Sequence, residues 1–272
     1  MQSLVSIIIP TFNRPLEVKE LLESIHDSDY PNIEVIVVDN NKVNYGAAGG
    51  RNRGAKQAKG EYLLFIDDDN VVNRSMISCL VGFFQRQEDC IMVGPLMFFK
   101  SSPKRIWMSG CRINMLSSQA EYWGTENHYR EGYDWYIRTG HLPNCFMVRR
   151  KDFEAIGGFD ERYNVMYEEA DFAYRLKRRF KQDAFLYSAA KIYHNISTCK
   201  QPYIFESNER AYLVGRNRIY FMKKNTKPWM LTVFLLIFLP VVFLHYEYQL
   251  LKAREFKMAY YFLLGTARGL IW

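Results

Sequence analysis

The sequence predicts an α/β fold with a mostly parallel central sheet, because short apolar runs alternate with segments of helical periodicity. The runs at 4–9, 33–38 and 62–66 are rich in β-branched and aromatic residues. Near-continuous apolar runs of this kind are typical of strands that are buried on both faces. Between them, helical spacing extends from Pro15 to about Ser28 and from about Gly50 to Ala58. This β-α-β-α-β order is typical of the start of a parallel α/β sheet.

Polar residues follow each of these three strands. The first strand ends in Pro10-Thr11-Phe12-Asn13-Arg14, the second in Asp39-Asn40-Asn41 and the third in Asp67-Asp68-Asp69. In parallel α/β sheets, ligands bind beyond the carboxyl ends of the strands. We therefore expect a binding site at this edge of the sheet.

The later part of the chain predicts further elements around a cleft. A helix is expected near 74–87, a strand near 91–94, and helices around 168–180 and 206–224. The stretch 100–145 has no clear periodicity, and we expect its strands and loops to line a cleft. Its aromatic and imidazole side chains include Trp107, Tyr122, Trp123, His128, Tyr129, Tyr133, Trp135 and Tyr136.

The positive charge of the chain is concentrated in its last segment. The 272 residues include 36 Lys or Arg and 29 Asp or Glu, so the net charge is +7. Ten of these basic residues and four of these acidic ones lie in 201–272, which leaves only +1 on the first 200 residues. A nucleic-acid-binding protein usually carries its basic residues across the binding domain, whereas charge confined to an apolar tail favours an anionic membrane surface. We therefore predict a membrane partner and no nucleic acid.

The cysteines and the N-terminal residues both predict a cytoplasmic location. The five cysteines are widely spaced and form no C-x-x-C pair, which is typical of reduced core thiols. Met1 is followed almost at once by an apolar strand, without the basic region and cleavage site of a secretory signal. We expect the chain to act at the cytoplasmic face of a membrane, as a peripheral or monotopic protein.

The carboxylates of Asp67, Asp68 and Asp69 are the most informative cluster. Adjacent carboxylates repel one another, so a positive partner is expected at this strand end. Mg²⁺ and Mn²⁺ take oxygen ligands and often bridge a protein carboxylate to substrate phosphates. One carboxylate could contact a ribose hydroxyl and another a metal-bound diphosphate. The alternative is a solvated acidic turn.

Two other nucleotide-binding classes are disfavoured by the loop after the first strand. It lacks both the glycine-rich turn of dinucleotide-binding folds and the G-x-x-x-x-G-K-[ST] pattern of P-loop ATPases. The segment Gly46–Gly54 does form a turn of small residues before a helix, where Arg51 could meet an anion. A glycine-rich turn is weak evidence by itself, because many serve only as tight turns.

Six motifs occur in an order and spacing that resemble those of glycosyltransferase family 2. They are Ser6–Arg14, Val37–Asn40, Gly49–Gly54, Asp67–Asp69, Gly157–Arg162 and Tyr167–Asp171. The resemblance covers roughly residues 3–220 and implies the GT-A fold and transfer of a sugar from a nucleotide diphosphate, with inversion at the anomeric carbon. The segment Tyr212–Phe221 is similar to that of rhamnosyltransferase-like members.

The resemblance implies a role for each matching residue on the donor side. Thr11, Asn13, Arg14 and Asp39 would border the nucleoside, Asp67 would face the ribose, and Asp69 would bind Mn²⁺ or Mg²⁺. Arg216 and Arg218 could neutralise the leaving diphosphate, although a basic helix face near lipid headgroups is an almost equal alternative. The full predicted set for the nucleotide sugar is Pro10, Thr11, Asn13, Arg14, Asp39, Arg51, Asn52, Asp67, Asp68, Arg216 and Arg218.

The resemblance also implies a general base, which removes the proton of an acceptor hydroxyl. Glu168-Glu169 stands where the family usually has Glu-Asp, so Glu169 is the expected base, with Glu168 and Asp171 as substitutes. The alternative is an acidic first turn of a helix, which the helix dipole favours. His194 is a candidate metal ligand beside Asp69 and Asp67, and equally a core histidine.

The tail completes the predicted organisation. Residues 1–222 would form the catalytic domain, with a donor half of about 1–100 and an acceptor half of about 101–222, and 223–272 a membrane-association segment. The uncharged run 229–244 contains Pro240 and is shorter than the roughly 20 residues that span a bilayer, so it predicts a helix that dips into one leaflet. A buried helical hairpin or a homo-oligomer interface is the alternative.

These expectations together predict a metal-dependent transferase that acts on a lipid-linked or cell-envelope glycan. One rival is transfer to polyprenyl phosphate, which needs no general base because that acceptor is already an anion. Another is a non-catalytic module that binds a nucleotide sugar. The intact acidic motifs on both the donor and the acceptor side favour the enzyme.

Overall fold

The computed structural model describes residues 2–124, 134–196, 205 and 207–272. The strands are β1 Val5–Thr11, β2 Ile33–Asp39, β3 Tyr62–Ile66, β4 Asn70–Val72, β5 Cys90–Phe99, β6 Ser102–Met108, β7 Cys111–Ile113, β8 Ala120–Tyr122, β9 Tyr136–Thr139, β10 Cys145–Arg149 and β11 Asp183–His194. The α-helices are α1 Pro15–His26, α2 Gly46–Gln57, α3 Met76–Arg86, α4 Arg150–Ala155, α5 Glu168–Phe180, α6 Asn208–Asn225, α7 Pro228–Val233, α8 Leu239–Lys252 and α9 Phe256–Ile271. A 3₁₀ turn covers Glu161–Tyr163, and a π-helical segment, Phe234–Phe238, joins α7 to α8.

The central sheet confirms the predicted α/β class. Its main path runs β2-β1-β3-β10-β5-β11-β4, with β6 beside β5 and β9 beside β11. Strands β1, β2 and β3 are parallel, and β11 is parallel to β5. Strand β10 runs antiparallel between β3 and β5, so the sheet is more mixed than the apolar runs alone predict.

The core forms where the apolar runs cross the middle of the sheet. Every residue of β1, β3 and β5 is buried, as continuous apolar runs predict, whereas β2 is partly exposed. Helix α1 begins at Pro15, whose fixed φ suits the first turn of a helix. The four cysteines within the described residues are free, in agreement with the prediction of reduced thiols, and Cys199 lies outside those residues.

Helix α5 positions the acidic motif that follows β10 in the chain. Its first turn carries Glu168, Glu169 and Asp171, and its last turn carries basic residues. This distribution matches the helix dipole. The apolar side of α5 packs on the core through Phe172 and Leu176. The acidic first turn is thereby held near the carboxyl end of β3.

The tail differs from the prediction in the length of its first helix. The helical segment is continuous from 228 to 252, and its 25 residues are long and apolar enough to cross a bilayer by length and composition. Pro240 does not end it, because Pro240 lies in the first turn of α8, directly after the π-helical segment. The expectation of a helix too short to span a bilayer is therefore wrong.

The last helix packs closely on α6. A Cβ atom at Gly265 would lie 2.0 Å from the carbonyl oxygen of Tyr212, and one at Gly269 would lie 2.9 Å from that of Arg216. Glycines four residues apart allow two helices to approach this closely. Helix α9, in the predicted tail 223–272, therefore covers one side of α6, most of which lies in the predicted domain 1–222.

Candidate active site

Two of the three carboxylates after β3 are held by Thr11, the last residue of β1, and by Arg14, which follows that strand. Asp68 accepts hydrogen bonds from Thr11 Oγ1 at 2.7 Å and from Arg14 Nη1 at 3.1 Å. The same Arg14 nitrogen donates to Asp69 Oδ2 at 2.8 Å. Burial raises the pKa of Asp68 despite these contacts. The positive partner that the sequence predicts for the carboxylate cluster is thus supplied in part by the protein itself.

Arg51 is the centre of a second charge network. Its side chain is 1% exposed. One guanidinium nitrogen, Nη2, donates to Asp67 Oδ1 at 2.7 Å and to Glu169 Oε1 at 2.6 Å, and Nη1 donates to Glu168 Oε1 at 2.9 Å. Burial alone would lower the pKa of Arg51, but the three carboxylates raise it above its usual value. Arg51 therefore joins the end of β3 to the start of α5.

Glu169 is the carboxylate of α5 that faces the open space of the site. Its side chain is 15% exposed, against 4% for Glu168. The backbone N–H of Asn144 donates to Glu169 Oε1 at 2.9 Å. Burial raises the pKa of Glu168, and it raises the pKa of Glu169 to about 8, despite the neighbouring Arg51. Such a carboxyl can accept a proton near neutral pH.

The backbone before α5 is unusual. Asn164, Met166 and Tyr167 all have positive φ, between 63° and 71°. Residues other than glycine rarely adopt this backbone conformation, and each instance costs of the order of 1 kcal/mol or more. The acidic motif therefore begins directly after a strained turn, and Tyr167 is the residue before the helix.

Members of both charge networks line one cavity of about 810 Å³, a size that suits a small-molecule ligand. The carboxyl-terminal edge of the sheet forms one end of it, and helices α6 and α8 form the other. The sheet end is lined by Arg14, Asp67, Asp69, Trp107 and His194, the middle by Arg51, Asn144, Glu168 and Glu169, and the helical end by Phe205, Arg210, Val214, Arg218 and Tyr246.

The donor atoms at the sheet end fit a divalent cation that is shared with a ligand. Asp69 Oδ1 lies 3.3 Å from His194 Nε2, and His194 Nδ1 is buried without a partner among the described residues. Contacts with His194 and Arg14 outweigh burial and hold the pKa of Asp69 below its usual value. No three His, Cys, Asp or Glu side chains within the described ranges could enclose a metal ion. Two protein ligands suit a cation that also binds substrate phosphates.

The structure brings most of the predicted site residues together. Eight of them line the cavity: Arg14, Arg51, Asp67, Asp69, Glu168, Glu169, His194 and Arg218. Pro10, Thr11, Asn13, Asp39 and Asp68 lie at the same edge of the sheet, outside the cavity lining. Arg51 has a different partner from the predicted one, because it binds three carboxylates of the protein.

Asn52 and Asp171 lie outside the cavity lining, contrary to the prediction. Asn52 Nδ2 donates to the carbonyl oxygen of Phe159 at 2.9 Å, which fixes the loop before α5. Asp171 is fully buried and is paired with Arg175 at 2.7 Å and Lys224 at 2.9 Å. Asp171 therefore connects α5 to α6 and cannot reach an acceptor.

Arg216 also lies outside the cavity lining. Its Nη2 donates to the carbonyl oxygen of Arg162 at 2.7 Å, and its guanidinium lies 4.9 Å from the ring centroid of Trp272. Arg218, two residues further along α6, points to a different side of the helix. The two arginines therefore do not share the predicted role.

Only some of the aromatic residues predicted from the stretch 100–145 line the cavity. Trp107 and Tyr122 line the cavity, and the ring centroid of Trp107 lies 4.7 Å from that of His194. Trp123, Trp135 and Tyr136 are absent from its lining. His128, Tyr129 and Tyr133 lie outside the described residues. The expectation of an aromatic cleft thus applies to part of this set.

Among the cavity residues that the sequence analysis did not single out are Asn144, Tyr167 and Tyr246. Asn144 has φ of 73°, and the Pro143-Asn144 pair is a turn signal that could have indicated it. Tyr167 was included only as part of a motif. Tyr246 carries no sequence signal, because it reaches the cavity only through the packing of α8 beside α6.

The sheet, the paired carboxylates at its edge and the cavity define a GT-A glycosyltransferase fold. The mannosyltransferase PcManGT from Pyrobaculum calidifontis, solved with GDP-Man and Mn²⁺, has this fold and superposes with a TM-score of 0.56 at 13% identity, over 99% of this chain and 88% of that one. The sequence model of glycosyl transferase family 2 matches residues 6–43 and 40–157. The chain therefore belongs to glycosyltransferase family 2.

Two curated relatives are similar over part of their length. The O-antigen biosynthesis protein RfbC of Myxococcus xanthus is 29% identical over 63% of this chain and 16% of its own length. The GalNAc(5)-diNAcBac-PP-undecaprenol beta-1,3-glucosyltransferase of Campylobacter jejuni is 30% identical over 28% of this chain and 33% of its own. The chain thus matches a third or less of these two proteins.

Proposed function

We propose that the chain is a divalent-cation-dependent, inverting glycosyltransferase. It moves a sugar from a nucleotide-diphosphate sugar to a hydroxyl of a lipid-linked or cell-envelope glycan, at the cytoplasmic face of a membrane. The observation that carries this proposal is one cavity that holds Asp69 and His194 at one end and Glu169 in its middle.

The sheet end of the cavity suits the donor. Asp67 is positioned by Arg51 at the carboxyl end of β3, where its second oxygen could accept from a ribose hydroxyl. Asp69 and His194 would hold the Mn²⁺ or Mg²⁺, which when bound would neutralise charge on the leaving diphosphate. Two solved neighbours of this fold contain Mn²⁺ together with a nucleotide or a nucleotide sugar, which supports the same arrangement here.

Glu169 suits the role of general base. Its carboxylate lines the cavity, and the donors Arg51 and Asn144 both bind Oε1, so Oε2 is available to accept the proton of an acceptor hydroxyl. The hydroxyl oxygen would then attack the anomeric carbon opposite the leaving diphosphate, which inverts that centre. A base would be unnecessary for polyprenyl phosphate, so the exposure and raised pKa of Glu169 favour a hydroxyl acceptor.

The tail suits a membrane surface. Along 228–272 large apolar side chains are exposed, among them Leu236 at 73%, Val241 at 63% and Leu244 at 64%. Exposed apolar area of this extent marks an interaction site. Lys223 and Lys224 contribute less than predicted, because Lys223 binds the carbonyl oxygens at the end of α9 and Lys224 binds Asp160 and Asp171. We retain 223–272 as the proposed membrane-association segment.

Donor binding tests this function directly. Thermal unfolding should be followed with UDP-, GDP- and dTDP-sugars, each with and without Mn²⁺. At least one donor should stabilise the protein, and more so with Mn²⁺, because a ligand that binds only the folded state raises its melting temperature. Asp69→Asn should remove the Mn²⁺-dependent part of this stabilisation, while Asp89→Asn, in the exposed turn between α3 and β5, should not.

Transfer assays then separate the enzyme from its rivals. Donor binding without hydrolysis or transfer would indicate a binding module. Transfer to polyprenyl phosphate that is unaffected by Glu169→Gln would indicate the phosphate-acceptor enzyme. Undiminished turnover in excess EDTA would contradict the metal requirement.

A further inference from the structure

Arg218 stands out among the charged residues of the cavity because it is buried without an anionic partner. It is 3% exposed, and its Nη1 atom has no hydrogen-bond partner among the described residues. Its neighbours are two tyrosines: Nε lies 3.4 Å from the hydroxyl of Tyr167, and the guanidinium lies 5.0 Å from the ring centroid of Tyr246. A buried charge without a counter-ion is costly. An anion that enters the cavity would offset this cost.

The carboxylates of the cavity do not supply that anion. Asp67, Glu168 and Glu169 are paired with Arg51, and Asp69 is paired with Arg14. Burial would lower the pKa of Arg218, but contacts with Tyr167 and Tyr246 raise it above its usual value, and no carboxylate contributes. The orphaned nitrogen of this planar guanidinium therefore favours an exogenous anion that offers two acceptor oxygens, such as a phosphate.

The order of groups along the cavity indicates which phosphate this is. Arg51 links Asp67, at the end of β3, to the Glu168-Glu169 pair at the start of α5. Tyr167 comes directly before that pair, and Arg218 contacts Tyr167. Arg218 is thus beyond the proposed base as seen from the donor end. A group at this place belongs to the acceptor side of the reaction.

The surroundings of Arg218 indicate what the phosphate is attached to. Tyr246, which packs on the guanidinium, belongs to α8. The same helix exposes Val241, Leu244 and Tyr248 at 63–65%. A ligand that reaches from this apolar helix to the base would therefore place an apolar tail, a phosphate and a sugar hydroxyl in that order.

We propose that Arg218 binds the phosphate of a lipid-linked acceptor. This assignment rests on the proposed function and makes it more specific, because it moves Arg218 from the donor diphosphate, where the sequence places it, to the acceptor. The short path from Arg218 through Tyr167 to the base fits an acceptor whose reacting sugar is close to its phosphate.

The test measures binding of geranyl diphosphate, a short lipid diphosphate, by titration calorimetry. Neutral geraniol serves as the uncharged control, and each titration is repeated with saturating nucleotide, using whichever of UDP, GDP and dTDP stabilises the protein with Mn²⁺. Geranyl diphosphate should bind wild type with and without nucleotide, and geraniol at least about tenfold more weakly, since a charge-assisted hydrogen bond is lost.

Variants then assign that binding to Arg218. Arg218→Gln should weaken the binding of geranyl diphosphate about tenfold or more and change the affinity for nucleotide less than about twofold. Arg218→Lys keeps the charge but loses the planar fork, and should be intermediate. Arg178→Gln, the same change on the exposed face of α5, should behave like wild type. Thermal unfolding of each variant checks its fold.

Three results would overturn the proposal. Equal affinity for geranyl diphosphate and geraniol in wild type would show that no phosphate site exists, and this comparison does not depend on any variant folding. Unchanged geranyl diphosphate binding in Arg218→Gln would place the phosphate elsewhere. Competition between geranyl diphosphate and nucleotide, with both weakened in Arg218→Gln, would assign Arg218 to the donor diphosphate. Failure of every nucleotide to bind would count against the proposed function instead, since the lipid titrations do not need one.

Discussion

The two ends of the cavity balance their charges in different ways. From the sheet end to the middle of the cavity, Arg14 and Arg51 pair with every carboxylate that lines it. At the helical end, Arg218 is buried among tyrosines and has no carboxylate partner within the described part of the chain. The first end is therefore preorganised by the protein's own ion pairs. The second has a charge that no carboxylate of the described residues neutralises.

This difference indicates how substitutions at the two ends should act. A group that holds a preformed network affects stability as well as chemistry, because its removal leaves buried charges without partners. Substitution of a charged group whose partner is a ligand should chiefly weaken the binding of that ligand. Stability and activity, measured on the same variants, can therefore test the contrast.

The largest effect is expected for Arg51→Met. Removal of this guanidinium leaves Asp67, Glu168 and Glu169 without their shared counter-ion, and we expect the free energy of unfolding to fall by about 3–5 kcal/mol. Arg53→Met is the matched control on the same helix, because the Arg53–Glu161 pair is partly exposed, at 35% and 47%, and should contribute less than about 1 kcal/mol. Urea unfolding measures both. Equal losses in the two variants would show that the buried network does not stabilise the sheet end.

The next effect is that of Glu169→Gln on turnover. Loss of the proposed base should reduce kcat about 10²-fold or more with little change in donor affinity. Glu169→Asp should retain more activity than Glu169→Gln, because it keeps a carboxylate at the position where the family usually has aspartate. Steady-state kinetics with Glu154→Gln as an exposed control checks this. An active Glu169→Gln beside an inactive Glu168→Gln would assign the base to Glu168.

A smaller effect is expected where α9 meets α6. The methyl group of Gly265→Ala would meet the carbonyl oxygen of Tyr212 at 2.0 Å, so the helices must separate. We expect a loss of about 1–3 kcal/mol of stability, although alanine is the better helix former. Ala267→Leu, on the exposed side of α9, is the control and should change stability little. Unchanged thermal unfolding of Gly265→Ala would show that α9 does not pack tightly on α6.

The smallest effect concerns pH. Burial raises the pKa of Glu169 to about 8, and only the deprotonated form can accept a proton. Turnover should therefore rise with pH through this range, by about tenfold between pH 7 and pH 9. A pH–rate profile measures this, and Glu169→Asp should shift its midpoint. A profile that is flat from pH 6 to pH 9 would contradict the assignment of Glu169 as base.

The sequence predicted the sheet end of the site better than the helical end. Asp67, Asp69 and Glu169 lie in ordered motifs at the ends of elements whose periodicity is clear, so their convergence follows from the α/β topology. The partner of Arg51 could not be predicted, because its three carboxylates come from segments 16, 117 and 118 residues away. Tyr246 was missed since it contacts Arg218 only across two packed helices.

The tail shows why a length count alone was insufficient. The uncharged run ends at Leu244, but the helix continues to Lys252, because His245, Glu247 and Gln249 are polar residues that helices accept. A helix is longer than its apolar run whenever polar residues of good propensity follow it. Pro240 was overvalued as a helix end for a different reason: it lies in the first turn of α8, directly after the π-helical segment.

The turn before α5 has a consequence for protein engineering. Asn164, Met166 and Tyr167 all have positive φ, a conformation that glycine adopts without steric strain. A redesign guided by stability would place glycine at 167, relieve strain, and at the same time delete the hydroxyl that donates to Ser118 and contacts Arg218. At this position the backbone favours glycine, whereas the contacts with Ser118 and Arg218 require tyrosine, so a more stable version of this protein needs stabilising substitutions at other positions.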